Sequence, residues 1–410
     1  PAAHLIGLDV LRTDSAFAGL DGHGLAVVII DTGITPDHPF FGPDADGNGV
    51  ADRIVFQYDF ADNDPIALDL RGHGTHVTSV IASQDQAYPG VAPAVSIIHL
   101  KVFSDQGSGS FGYLEKALQW VIRNVETFNI VAVNLSLGDG QNWPQPVGLY
   151  GVADELRTLD SLGVITVAAA GNGYLVHGGQ EGLAYPAADP HTISVGAVWD
   201  SDRGPQTFGI YGTDFATAAD RIASFSQRDQ DNLDALAPGA IILAASSDGT
   251  VTGLRGTSMA AAYVTGAAVL AQQVAIQEHV VRLSSDQFRD LLRSSGVMVV
   301  DGDDEQDNVP NTGHTFFRLN LPSLIGAVKD LDAIVWPGGS APGSGQGGAV
   351  PIDLLNGWFA YTIQLDQGQH REDVNFGLRP LDVESPTSAV EPLPPEVLNP
   401  TFLVRWSGSD

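Results

Sequence analysis

The residues from Gly256 to Ala271 constrain this chain more than any others. Gly256-Thr257-Ser258-Met259-Ala260 runs into Ala261-Ala262-Tyr263-Val264-Thr265-Gly266-Ala267-Ala268-Val269-Leu270-Ala271. After Ser258 about thirteen small or aliphatic residues pass without a charge, which predicts a helix buried on nearly every face. A buried helix that opens on Gly-Thr-Ser places a hydroxyl at its first turn. There the free backbone N–H groups and the positive end of the macrodipole favour a developing negative charge. A serine that attacks a carbonyl and leaves an oxyanion beside it needs that environment. Small residues also serve simply to let helices pack closely, so the hydroxyl gains meaning only with a base and an orienting acid elsewhere.

Two candidates stand upstream. Residues 5–20 form a short amphipathic entry segment, and Leu25 to Ile30 is a continuous apolar run, the mark of a central strand buried on both faces. It stops at Asp31-Thr32-Gly33, and an acid at the carboxyl end of a central parallel strand sits where open α/β sheets carry their sites. A capping Asp for the following turn is the alternative. In Arg71-Gly72-His73-Gly74-Thr75-His76, Gly-His-Gly at the mouth of a helix lets His73 stand in the first turn. His76 shares its face at i, i+3, but the pair lacks the Glu and third ligand of a zinc site, and His76 reads as a core histidine.

Further strands are expected at 95–103, 130–135, 164–170 and 192–198, with helices at 114–126, 152–161, 284–293 and 321–329. This strand–helix–strand rhythm predicts an α/β fold: a doubly wound, mainly parallel β-sheet with helices on both faces, plus a small C-terminal β-rich extension. Gly107-Ser108-Gly109-Ser110-Phe111-Gly112 and Ser136-Leu137-Gly138 carry little bulk and predict exposed edges open to pairing with another chain. Asn172 follows Gly171 at a strand's end, where its amide could donate to an oxyanion or simply make a turn.

Together D-T-G (31–33), H-G-T-H (73–76), N-L-S-L-G (134–138), A-A-A-G-N (168–172) and G-T-S-M-A (256–260) resemble the subtilisin-like serine proteases, over roughly residues 5–330. The resemblance implies a serine endopeptidase of broad specificity with Ser258 as nucleophile, His73 as general base and Asp31 orienting it. It further implies an oxyanion hole of Asn172 and the Ser258 N–H. An extended protein or peptide substrate would lie between Ser108, Gly109, Ser110 and Ser136, Leu137, Gly138. Phe111 would wall the fourth pocket before the cleaved bond; Ala168 to Gly171, Ala170 included, would wall the first together with 136–138. Tyr185-Pro186 stands where the family often has a cis peptide. The resemblance also implies an N-terminal pro-segment in the precursor. The rival from another class is a catalytically silent subtilase-like binding scaffold.

Asp44-Ala45-Asp46-Gly47-Asn48-Gly49-Val50-Ala51-Asp52 predicts a structural Ca2+ loop. Asp44, Asp46, Asn48 and Asp52 offer oxygens, Val50 a carbonyl, and Gly47 takes the sharp turn. Val55 stands where a bidentate acid is usual, so Asp59, Asp62 or Asp64 would have to complete the shell, or the stretch is a plain polar turn. The calcium loop that many relatives insert after the histidine helix is shortened here to 84–90, which favours the 44–52 site. Asp301 to Asp307 fits no ligand spacing and reads as a solvated loop.

With 49 acidic against 19 basic residues and a net charge of −30, the chain repels nucleic acid and anionic lipid, so neither is expected as a partner. The acidity suits a salty or calcium-containing extracellular medium, or steers cationic substrates to the cleft. The absence of cysteine excludes disulfides and thiolate metal sites. No unbroken run of about eighteen apolar residues suggests a membrane span. A secreted monomer is expected. The expected organisation is a catalytic domain (1–336), a Gly/Ser/Pro linker (337–350), a small β-rich segment (351–385), and a Pro-rich spacer running into the first strand of a truncated β-sandwich module (386–410). A disordered tail is the alternative for that last part.

Overall fold

A computed structural model divides the chain into two compact units, Pro1–Asp332 and Ala333–Asp410. It describes residues 1–302 and 304–331, and the backbone of three strands further on. Those strands, Ala349–Leu355, Trp358–Gln364 and Thr401–Leu403, form an antiparallel sheet. The second lies within the β-rich segment expected at 351–385. Of the expected linker (337–350) only Ala349 and Val350 are described, as the start of the first strand, and of 386–410 only Thr401–Leu403; the rest fall outside the described residues.

The first unit is built on a nine-stranded sheet. Its order is Val297–Val300, Thr315–Arg318, Ala235–Ala240, Thr192–Trp199, Ile165–Ala169, Ile130–Leu135, Ala26–Asp31, Ser96–Lys101, Ile54–Asp59. Every neighbouring pair is parallel except Val297–Val300 against Thr315–Arg318. From Ala26–Asp31 the chain first winds one way, through 54–59 and 96–101, and then the other way from Ile130. The connections therefore part at the carboxyl ends of these central strands, the place where such sheets hold their ligands. All six residues of Ala26–Asp31 are buried, as a β-branched run without alternation requires.

One face packs on Phe111–Phe128 and Ala153–Ser161, with Val28, Ile30, Leu100, Leu118, Val121 and Leu156 in one core cluster. Thr257–His279 lies against the strands 130–135, 165–169, 192–199 and 235–240 and against His73–Ala82. It is buried from Thr257 to Ala275, as its composition predicts. Although broken by Gly and Gln, this helix has the length and mean hydropathy to cross a bilayer; 94% of its most apolar window is nevertheless inside the protein. It is a core helix.

Three features differ from the sequence reading. The helix expected from Leu114 begins at Phe111, because the Ser110 hydroxyl caps the Tyr113 N–H. The hairpin of Ile242–Ala245 and Val251–Leu254 was not anticipated. Among the described residues of 301–307, Gly302, Asp304 and Gln306 are exposed as a solvated loop would be, but Asp301 and Glu305 are tied inward. Asp301 is fully buried, pairs with the equally buried Arg228 at 2.6 Å, and accepts from Thr312 N and Oγ1. Glu305 accepts from Gly302 N and Ile222 N.

Beside it, a small sheet sets Asp214 opposite Asp307. Ser224 donates to Asp214 from N and Oγ, yet burial pushes its carboxyl up to about 6, and Asp307 adds to the rise. Asp307 Oδ2 is buried without a partner. A folded value above the unfolded 3.8 means that the native state binds more protons between those two pH values, so this group removes stability as pH rises through about 6. Asp214→Asn is therefore expected to stabilise at pH 8 by up to about 3 kcal/mol and to gain much less at pH 4. Thermal melts at the two pH values check this; an equal loss at both would contradict it.

Candidate active site

Asp31 is the last residue of its strand and has no exposed surface. Its Oδ1 accepts from the Thr32 N–H and from His73 Nδ1, each at 2.7 Å, while Oδ2 is buried without a protein partner. His73 opens the helix His73–Ala82, with its side chain 31% exposed. Burial disfavours its charged form, but the charge and hydrogen bond of Asp31 and the charge of Asp69 outweigh this, so its pKa is raised above 6.5. With Nδ1–H committed to Asp31, the lone pair of the neutral ring is on Nε2.

The helix mouth is held by Asp69, which sequence reasoning missed. Its Oδ1 accepts from Thr32 Oγ1 and from the N–H groups of Arg71 and Gly72; its Oδ2 accepts from Thr75 N and Oγ1. Thr32 Oγ1 in turn accepts from Gly74 N. One buried carboxylate thus ties the residue after Asp31 to the turn carrying His73. The two segments are so close that a Cβ on Gly74 would sit 2.2 Å from Gly33 O. Beneath them His99, also missed, accepts from Gly33 N and meets Thr78 Oγ1; burial pushes its pKa down to about 4. His76 is a buried core histidine bonded through Nε2 to Ile242 O, with Nδ1 unpartnered and a pKa lowered by burial to about 4.

Asp69→Asn tests this reading. Removing a negative charge near His73 lowers the imidazole pKa, so the acid limb of the pH–rate profile should move to lower pH. Lost charge-assisted hydrogen bonds should cost about 2–3 kcal/mol of stability. An unmoved acid limb would contradict the electrostatic coupling.

Ser258 lies in the first turn of its helix and is 8% exposed. Its Oγ donates to Ser136 O at 3.3 Å, and the Ser136 hydroxyl donates to Ser258 O at 2.8 Å. Asn134 donates to Ser136 Oγ and accepts from Thr265. The Ser136 side chain therefore points into the protein and fastens the serine turn to the sheet. Nearby, Asn172 Oδ1 accepts from Thr257 N at 2.9 Å and Thr257 Oγ1 at 3.1 Å. A backbone N–H can only donate, so the amide oxygen is fixed and the NH2 is left for another acceptor beside the serine turn.

The remaining predicted positions are distributed as follows. Ser108 to Ser110 are exposed, but Ser108 O accepts from Ser104 N, Gly109 bridges Phe103, and Ser110 caps a helix. The turn itself is at 104–107, where Gly107 N donates to Ser104 O, and Ser110 is extended. Phe111 stacks on Tyr150 with ring centres 4.2 Å apart. Leu137 is half-buried and Gly138 exposed. Ala170 is buried in backbone bonds to Val195 and Ala184, and Gly171 N donates to Thr257 Oγ1. The Tyr185-Pro186 peptide is cis.

The model of the subtilase family matches residues 22–315, more than half of the chain. The chain belongs to the subtilase family. Subtilisin DY of Bacillus licheniformis is 30% identical over 72% of this chain and 92% of that protein. Subtilisin Savinase of Lederbergia lenta is 32% identical over 62% of this chain and 78% of its own length. A crystal structure of a cold adapted subtilisin-like serine proteinase superposes with a TM-score of 0.55 at 30% identity, covering 74% of this chain and 90% of that one. This subtilase is a serine endopeptidase with the expected parallel α/β fold.

The subtilase also carries an acidic loop whose donor set fits a divalent cation. Asp44, Asp46 and Asp52 are exposed, and their carboxylate oxygens lie within 4.8 Å of one another. Gly49 N and Asn48 N donate to Asp44, holding its carboxyl below the usual range, and Val50 N donates to the Asn48 side chain. Asp59 and Asp62 do not complete this shell. They gather with Asp105 round Lys101, whose ammonium is 2.6 Å from Asp59 and 3.0 Å from Asp105. Asp64 spends its Oδ1 on Ile66 N.

Proposed function

We propose that the chain hydrolyses peptide bonds through an acyl-enzyme on Ser258. His73 Nε2 takes the proton of Ser258 Oγ as the oxygen attacks the carbonyl carbon, and later gives it to the leaving amine. Asp31 keeps the proton on Nδ1 and stabilises the imidazolium between those events. The oxyanion of the tetrahedral intermediate is received by the Asn172 NH2 and the Ser258 N–H. Water then attacks the ester with His73 again as base. The observation that carries this reading is the 2.7 Å bond from His73 to a buried, otherwise half-unpartnered carboxylate. Ser258 Oγ rests on a weak 3.3 Å contact, from which a rotation about one bond frees it. Catalytic hydrogen bonds are often long before substrate arrives.

The pH–rate profile on a peptide anilide tests the reading. The catalytic form has neutral His73, and the imidazole pKa is raised, so kcat/KM should fall on the acid side with its half-point above pH 6.5. A flat profile down to pH 5 would contradict His73 as base.

We further propose that the enzyme acts outside the cell on extended protein segments, is made with an N-terminal pro-segment, and that 1–336 is its catalytic domain. Ca2+ at Asp44, Asp46, Asn48, Val50 and Asp52 would neutralise three crowded carboxylates and brace the loop before strand 54–59. Saturating Ca2+ should stabilise by about 3 kcal/mol, raising Tm by several degrees relative to a chelated sample. Asp46→Asn should shrink that shift. An identical melt with and without chelator would remove the site.

A further inference from the structure

The mouth of the His73 helix holds a cation that the proposed chemistry does not use. Arg71 is exposed and two residues before His73. Its backbone N–H is anchored to Asp69, but its guanidinium runs to Gly107, at the end of the 104–107 turn. A Cβ on Gly107 would lie 3.0 Å from Arg71 Nη2 and 3.1 Å from both Cζ and Nε. Nearly equal distances to three guanidinium atoms mean that the plane lies flat on this glycine. Gly107 has φ +88°, so any other residue there would be strained as well as crowded. The turn leaves room for the arginine.

Several other arginines among the described residues hold carboxylates, and what sets Arg71 apart from the rest is its place against Gly107. Arg203, Arg228, Arg289 and Arg318 each hold a carboxylate. Arg71 holds none among the described residues, although acids outnumber bases 49 to 19. Its nearest carboxylate in sequence, Asp69, already accepts five hydrogen bonds from other groups. An unpaired guanidinium laid along the edge of a cleft is a receptor for a planar anion.

We propose that Arg71 selects an acidic side chain on the acyl side of the cleaved bond. This rests on the proposed protease function and on the expected lie of an extended substrate between 108–110 and 136–138, with its first side chain toward 136–138. Side chains of an extended strand alternate in direction, so the second before the cleaved bond turns the other way, toward the His73 helix and Arg71. An aspartate or glutamate there meets the guanidinium; a lysine meets a like charge. The contact acts against the long-range repulsion that the net charge of −30 exerts on any acidic peptide, so the preference is confined to that position.

The test uses the full chain and three peptide anilides that differ only in Glu, Gln or Lys second before the cleaved bond, at low ionic strength. The parent enzyme should favour Glu over Gln in kcat/KM by about five- to tenfold. The ratio should fall to about one in Arg71→Gln, and Lys should become preferred over Glu in Arg71→Glu. Arg123→Gln, an exposed change of the same charge on the helix Phe111–Phe128, should keep the parent ratio. No Glu preference in the parent, or a preference that survives Arg71→Gln, would overturn the inference. Failure of the underlying reading shows separately, as hydrolysis of the Gln peptide that persists in Ser258→Ala.

Discussion

Ser258→Ala is expected to lower kcat on a peptide anilide by about 10⁶-fold, a magnitude already established for the triad serine of subtilisin itself. The change removes one oxygen at a position that is 8% exposed, and the methyl group of alanine suits the helix Thr257–His279. The fold should survive: the Ser136 hydroxyl still donates to the residue 258 carbonyl, and only the 3.3 Å contact to Ser136 O is lost. Activity should therefore vanish with the melting temperature nearly unchanged. That combination separates a lost nucleophile from a lost structure.

The second large effect belongs to Asp31→Asn, for which a fall of about 10⁴-fold in kcat is expected, as known for orienting acids of this kind. The cause can be read from the hydrogen bonds. Thr32 N–H donates to Oδ1, so the amide oxygen of an asparagine must stay there, still able to accept from His73 Nδ1. What disappears is the negative charge that raises the imidazole pKa. The new NH2 would take the place of Oδ2, in a buried position with no acceptor, at a stability cost of about 1–3 kcal/mol. The acid limb of the residual activity should accordingly move to lower pH. An asparagine variant within tenfold of the parent would remove Asp31 from the mechanism.

The parts of this fold written in local pattern were legible. Leu25 to Ile30 could only be a strand buried on both sides, and the uncharged run after Ser258 only a core helix. Asp31, His73, Ser258 and Asn172 stand in glycine-rich settings at element ends, which made each a candidate before any contact was known. What escaped notice depends on distance along the chain. Asp69 looks like any other aspartate in an Asp-rich loop until Thr32, 37 positions away, joins four donors at 71–75 on it. Asp301 read as solvated because its partner, Arg228, lies 73 positions away. Nothing local to Ser136 reveals that its hydroxyl reaches Ser258 O. The Gly-Ser stretch shows the same limit: its composition permits a turn or an extended edge, and only the bonds show a turn at 104–107 running into an extended Ser110.

The central claim is that one hydroxyl, activated by His73, does the chemistry. A fluorophosphonate that phosphorylates only activated serines, followed by peptide mass mapping, tests it most directly. One equivalent of label should appear on the peptide carrying Ser258, with activity lost in proportion and labelling abolished in His73→Ala. Stoichiometric label on another serine, or undiminished labelling of Ser258→Ala, would contradict the account.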